Sequence, residues 1–295
     1  MSTASGTQVR SARFRSAEDE FGVVHVHEPH RVGLPPLRSY LSEFWRRRAF
    51  ALELARTDLR AQHFNTALGQ LWLVVNPVLL GLTYFILVDI VRRGSRGPDF
   101  LAHLMLCLFV FRFVSTSVTD GARSVVGGGR LILNTAFPRT LLPFSSTVAA
   151  FMRFLPTVVV YAILHAVSGL PVGLHVLWVF PILALVAVLA FGASMIAAAA
   201  QVYFRDLASF LPFFTRIWLY ASPVLYYAEE VPDRFRLILD ANPLYPLLAS
   251  LSDVVTRGER PHAGLLALGL AWAVAIFFAG ALFFVSRERE FAVRL

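Results

Sequence analysis

The stretch VGLHVLWVFPILALVAVLAFGASMIAAAA, Val172–Ala200, decides the fold class. It runs without a single Asp, Glu, Arg or Lys, and about 20 apolar helical residues suffice to cross a hydrocarbon core. No water is available there to satisfy a backbone N–H or C=O, so such a segment must be helical. Working outward, the same character recurs in Leu71–Val91, Phe100–Val118, Leu141–Gly169, Leu207–Tyr227 and Ala263–Val285, with short charged loops between them. Hydrophobic residues make up 57% of the chain and charged residues 16%, against roughly 25% charged in soluble domains. The expected fold is an all-α integral membrane protein with six transmembrane helices spread over residues 63–286. A soluble core of 295 residues cannot hide six helices of this length.

The 27 basic residues are all Arg, and the net charge is +8. A basic balance raises the question of nucleic acid. Here the Arg residues stand in loops beside apolar stretches, where topology and anionic lipid account for them. Cys107 is the single cysteine and lies inside the second stretch, so no intramolecular disulfide forms. Residues 1–36 are polar, mixed in charge and carry Pro29, Pro35 and Pro36. They read as a disordered cytoplasmic tail with no cleavable leader pattern.

Residues 37–62, LRSYLSEFWRRRAFALELARTDLRAQ, repeat Leu41, Phe44, Trp45, Leu52 and Leu59 at near-helical spacing with Arg46, Arg47, Arg48, Arg56 and Arg60 between them. A basic, Trp-bearing amphipathic segment suits a helix lying in the membrane interface; a cytosolic surface helix packed on its own protein is the alternative. Pro77 in the first stretch removes a backbone donor. Residues 119–140 form the longest gap between the apolar stretches apart from 228–262. Gly127, Gly128 and Gly129 break the 119–140 gap, and a short helix over Leu131–Asn134 is expected after them. The triple Gly is not a phosphate-binding loop, since no Lys-Ser/Thr follows it and no strand precedes it. Residues 228–262 are semi-apolar but interrupted by Asp240, Pro243, Pro246 and Asp253. They are too broken to span and suit re-entrant helices on the outer side.

Six spans put both termini on one side, together with Arg123, Arg130, Arg139, Arg205, Arg287, Arg289 and Arg294. The positive-inside rule makes that side cytoplasmic, and residues 287–295 a cytoplasmic tail. Arg92, Arg93 and Arg96 fall on the other side and run against the rule. The expected location is the bacterial inner membrane.

Five motifs, LGQLWLVVNPVL (Leu68–Leu79), ILNTAFPRTLLP (Ile132–Pro143), YFRDL (Tyr203–Leu207), SPVLY (Ser222–Tyr226) and NPLYPLL (Asn242–Leu248), occur in this order, each beside its apolar stretch. Together they resemble the permease subunit of type-2 polysaccharide ABC exporters, the family that includes O-antigen, teichoic acid and mycobacterial galactan exporters. The resemblance covers residues 38–290. It implies a non-catalytic half-transporter that pairs with a second copy of itself and with two copies of a cytoplasmic ABC ATPase. ATP and Mg would be bound by that partner, since this chain carries no nucleotide-binding signature and no cofactor motif. The implied cargo is a glycan on a polyprenyl diphosphate. Arg-only, Ala-rich usage resembles that of an actinobacterium, which points within the family to galactan or a related cell-wall glycan.

The resemblance also assigns roles. Residues 119–140 match the coupling region, with Ile132, Leu133 and Asn134 as the ATPase contact and Phe137, Pro138 and Arg139 as the return into the third span. Arg46, Arg47, Arg48, Arg56 and Arg60 are candidates to attract the lipid diphosphate, since Arg matches phosphate geometry. Arg112 and Arg153 join them because a charge within an apolar stretch faces a bundle interior or snorkels to an interface. A sliding glycan is best held by aromatic faces, for which Tyr84, Phe85, Trp218, Tyr220, Tyr226 and Tyr227 are candidates; the same rings also suit an interfacial belt. A drug or small-lipid exporter permease is one alternative. An integral membrane enzyme acting on a polyprenyl-linked substrate is another. His103, His165, His175 and Asp206 are scattered along the chain and form no acid–base set.

Overall fold

The computed structural model describes residues 36–62, 69–92 and 98–294. The expected N-terminal tail and the Arg93–Arg96 turn lie outside these residues. Among the described residues every regular element is helical. Two helices precede the first span, α1 (Leu37–Arg46) and α2 (Arg48–Gln62). The expected single amphipathic segment is thus broken at Arg47, whose backbone leaves the helical region (φ −97°, ψ 11°).

Five helices are long and apolar enough to cross a membrane. They are α3 (Trp72–Arg92), α4 (Pro98–Gly127), α6 (Leu141–Val167), α7 (Val179–Tyr203, preceded by a 3-10 turn at Leu174–Trp178) and α11 (Ala263–Arg287). Between them lie α5 (Gly129–Asn134), α8 (Leu207–Ala221), α9 (Arg236–Asp240) and α10 (Tyr245–Ser252), and α12 (Phe291–Arg294) closes the chain. The protein is therefore an all-α, multi-pass membrane bundle.

The expected stretch Leu207–Tyr227 behaves differently. Its helix α8 has 15 residues, about 22 Å at 1.5 Å per residue, short of a hydrocarbon core of about 30 Å. Pro223 explains the stop. Its ring disfavours helical geometry at the preceding residue, and Ser222 is extended (φ −97°, ψ 147°). The helix end thus created is fastened by Asn242, whose amide nitrogen donates to Ser222 Oγ (2.8 Å) and to the Ala221 carbonyl (3.2 Å). Its amide oxygen accepts from Trp218 Nε1 (2.9 Å) and from the Leu244 N–H (3.1 Å).

Helix α4 is the centre of the bundle. Most of its length is buried, and Ala102, Leu104, Cys107, Val110 and Val114 are inaccessible. It packs on α6 and α7, and α7 packs on α11. The α7–α11 crossing depends on small residues, as membrane helix pairs often do. A Cβ on Gly192 would stand 2.6 Å from Phe277 Cα, and one on Gly280 would collide with the Gly192 carbonyl. By contrast α3 is largely exposed along Leu79, Leu82, Ile86, Leu87 and Ile90.

Helix α4 also runs further than the expected end at Val118, continuing unbroken to Gly127. The chain then turns at Gly128, where a Cβ would lie 2.9 Å from the Ser124 carbonyl and 3.1 Å from Leu142 Cδ1. The triple Gly therefore permits a tight corner between α4 and α5.

Candidate functional site

Three polar zones interrupt this apolar bundle, one at the end that holds α1 and α12, one within the spans and one at the opposite end. At the first of these Glu288, just past α11, is 8% exposed. Its carboxylate accepts from the Tyr40 hydroxyl of α1 (2.5 Å) and from the Arg139 N–H (2.6 Å), while the Arg139 guanidinium donates to the Glu288 carbonyl. Tyr40 also shares a hydrogen bond with Thr140 Oγ1 (2.9 Å). Burial, then the adjacent Glu288 carboxylate, raise the Tyr40 phenol far above its ordinary value, so it remains a donor. Burial also lowers the Arg139 guanidinium, against the pull of Glu288.

Two further contacts fasten the same junction. Arg47 donates to the Ala136 carbonyl (2.6 Å), and the Phe50 and Phe137 rings stand 5.6 Å apart. Phe291 of α12 is fully buried with Phe284, Val125, Ile132, Leu142 and Met195. The N-terminal helices, the 135–140 segment and the chain's last turns thus meet in one bonded unit.

Ile132 is consequently turned into the protein's own core, not outward as a docking contact. A six-residue helix with core on one side buries one of its apolar residues there. The outward face is carried by Val126, Gly127, Arg130, Asn134, Thr135 and Ala136. The side chain of Leu133 lies outside the described residues. Pro138 is buried and Phe137 half-buried.

The Arg residues proposed from sequence have different surroundings. Arg46 is exposed near Glu43 (4.0 Å) and Arg47 pairs with Glu43 (3.0 Å). Arg48 donates to the Trp45 carbonyl and lies over the Trp45 ring, 4.6 Å from its centroid. Arg56 pairs with Glu53, and Arg60 is exposed. Leu41 and Trp45, one turn apart on α1, are about two-thirds exposed.

Within the spans, Arg153 of α6 pairs with Asp120 of α4 at 2.5 Å, and Asp58 of α2 stands near both. Burial raises the Asp58 carboxyl above its ordinary value, opposed by Arg153. Arg112 is two helical turns deeper on α4, about 12 Å at 1.5 Å per residue. Arg112 and Arg153 line one cleft of about 230 Å³ with Asn76, Thr116 and Thr157. Tyr84 lies near Tyr220, Arg112 and Arg216. Arg216 follows the rule that singled out Arg112 and Arg153, a charge inside an apolar stretch, and belongs with them.

The proposed aromatic set separates into three places. Tyr84 and Tyr220 pair within the spans, with Phe85 half-buried beside them on α3. Trp218 is on the other side of α8, against Phe111 and bonded to Asn242. It lines an apolar groove of about 780 Å³ between α7, α8 and α11. Tyr226 donates to the Tyr220 carbonyl (3.3 Å), and the Tyr227 ring lies 4.5 Å from that of His103.

At the opposite end of the bundle His103 of α4 exchanges a hydrogen bond with Ser252 Oγ (2.7 Å). Arg257 pairs with Glu229 (2.6 Å) and Asp253 (3.4 Å). The Arg257 hydrogen bond lowers the Glu229 carboxyl below its ordinary value, whereas burial raises Asp253. Among the described residues no His, Cys, Asp and Glu cluster has metal-binding geometry.

Known proteins match this sequence. The family model described as ABC-2 type transporter matches residues 52–256. The O-antigen export system permease protein RfbA of Klebsiella pneumoniae is 29% identical over 206 residues, covering 70% of this chain and 79% of that protein. The RfbA permease of Myxococcus xanthus is 29% identical over 253 residues, covering 85% of this chain and 96% of its own length.

Proposed function

The chain belongs to the ABC-2 type transporter family, and on that premise we propose that it is the permease of an ATP-driven exporter of polysaccharide held on a polyprenyl diphosphate. As a member of a transport family it moves its cargo and does not transform it. Two copies form the pore, and two copies of a cytoplasmic ABC ATPase drive it. The family match over 52–256, together with relatives named as O-antigen export permeases across as much as 85% of the chain, is the observation that carries this reading. Within that class the Arg-only composition favours an actinobacterial galactan or a related cell-wall glycan.

Both termini are cytoplasmic in this reading, in the inner membrane. Helix α8 with its continuation to Tyr227 counts as the sixth crossing, and residues 228–262 form the outer re-entrant cap. Helices α1 and α2 lie along the inner interface. The exposed Leu41 and Trp45 face lipid there, and Arg46, Arg48 and Arg60 attract the anionic carrier. Asn134, Arg130 and Val126 present the ATPase docking face, and the Tyr40–Glu288–Arg139 unit transmits its motion to the spans. Tyr84 and Tyr220, with Phe85, offer the glycan its sliding contacts.

Depletion of the chain in its own cell tests this function. A lipid-linked polysaccharide should accumulate on the cytoplasmic leaflet while its synthesis continues. Undiminished export with no such intermediate would overturn the reading; accumulation of a small lipid or drug instead would assign the permease to the other exporter class.

A further inference from the structure

Arg112 and Arg216 occupy one level of the bundle although they are far apart in sequence. Helices α4 and α8 run antiparallel. Leu211 packs with Val118, and the Trp218 ring meets Phe111 at 5.6 Å. Arg216, between Leu211 and Trp218, therefore stands at the level of the part of α4 that carries Arg112. Tyr84 on α3 completes the group, near Tyr220, one turn beyond Arg216, and near both guanidinium groups.

Their pairing differs from that of Arg153. Arg153 is held by Asp120 at 2.5 Å. Among the described residues no carboxylate pairs with Arg112 or Arg216, and both side chains are exposed on the single chain. Two unpaired charges at one depth are not left facing lipid, because intramembrane charges face a bundle interior or a water-filled path. Helix α8 divides the surroundings accordingly. Phe210, Leu211, Phe214 and Trp218 line its apolar groove, whereas Arg216 and Tyr220 lie on the opposite stripe.

We propose that Arg112 and Arg216, flanked by the Tyr84–Tyr220 pair, form an oxyanion-binding station inside the translocation path. Guanidinium forks from two helices with phenol donors between them fit a ligand with several charged oxygens. The station rests on the reading of the chain as a permease for a diphosphate-linked cargo. It places the diphosphate within the spans, beyond the Asp120–Arg153 pair, and not only at the inner surface. An acidic sugar offers the same oxyanion chemistry.

The test uses the full chain in nanodiscs and measures binding of geranylgeranyl diphosphate, with geranylgeraniol, inorganic pyrophosphate and glucuronate as competitors. Arg112→Gln and Arg216→Gln are each expected to weaken diphosphate binding at least tenfold, and Tyr84→Phe severalfold, while Arg234→Gln changes nothing. Pyrophosphate should compete and geranylgeraniol should not. Equal affinity in the wild type and both Gln variants overturns the station, as does competition by geranylgeraniol alone. Competition by glucuronate and not by pyrophosphate supports an oxyanion site but overturns the diphosphate as its occupant. Should a Gln variant fail to fold, Arg216→Lys and Tyr220→Phe carry the same comparison. Accumulation of lipid-linked glycan on depletion does not depend on the station, so the two proposals can fail separately.

Discussion

Replacing Glu288 by Ala would cut the unit that ties α1 and the turn after α11 to the 135–140 segment. Two donors lose a buried carboxylate, the Tyr40 hydroxyl at 2.5 Å and the Arg139 N–H at 2.6 Å. A hydrogen bond to a charged group is worth about 1.5–3 kcal/mol, and an orphaned buried donor adds its own desolvation cost. Thr140, at 2.9 Å from the Tyr40 oxygen, remains as a partner and offsets part of the loss. The expected destabilisation is about 3–5 kcal/mol, the range for breaking a buried ionic pair. At about 2–4 °C per kcal/mol for larger domains, the unfolding temperature should fall by roughly 6–20 °C. Tryptophan-fluorescence unfolding of the purified protein in detergent reads this directly. Glu288→Gln retains one acceptor oxygen and should lose less than half as much. Tyr40→Phe combined with Glu288→Ala should cost less than the sum of the single changes, because both act on one bond. A Glu288→Ala protein that unfolds within about 2 °C of the wild type would refute the bonded unit.

Other perturbations probe separate parts. Gly280→Ala forces α11 off α7 at Gly192 and should cost about 1–3 kcal/mol by overpacking, seen as a lower unfolding temperature. Asn242→Leu removes four hydrogen bonds that hold the end of α8 and should speed hydrogen exchange across 219–245 by at least tenfold. Arg130→Glu with Asn134→Glu, both on the exposed face of α5, should abolish co-purification of the ATPase while leaving the unfolding temperature unchanged. The Glu229 carboxyl is held below its ordinary value by Arg257, so its tie is complete above the unfolded carboxyl value of about 4.3. It is lost as the pH falls through the lower folded value. Asp253, raised by burial, opposes this loss, and His103, Glu259 and His262 share the neighbourhood. Proteolysis of residues 228–257 should accelerate only below about pH 4, and Arg257→Gln should remove that dependence.

The long apolar stretches were legible because hydropathy alone sets the length of a crossing helix. Five of the expected stretches coincide with long apolar helices, apart from a few residues at their ends and the extension of α4 to Gly127. In Leu207–Tyr227 the composition stays apolar through Ser222-Pro223, whereas the helix ends at Ala221. The broken pattern of residues 228–262 was visible, but the role of Asn242 as a fastener was not, since all four of its bonds depend on how the chain folds back. Asp120 and Arg153 are 33 residues apart, and nothing in their spacing announces the pair. Tyr40 and Glu288 are separated by 248 residues; one sat in a segment read for its Arg residues, the other in an ordinary charged tail. Ile132 could be identified as apolar on a short helix, yet the direction it faces follows from α12 folding back beneath α5.

Directional transport by inverted membrane vesicles tests the central claim most directly. Vesicles holding this chain and its ABC ATPase are given a polyprenyl-diphosphate-linked polysaccharide in the outer leaflet, then an excess of added glycosidase. The account predicts that the glycan becomes protected only with both proteins and hydrolysable ATP. Glycan that stays fully digestible under those conditions, while a small lipid or dye accumulates inside, would contradict it.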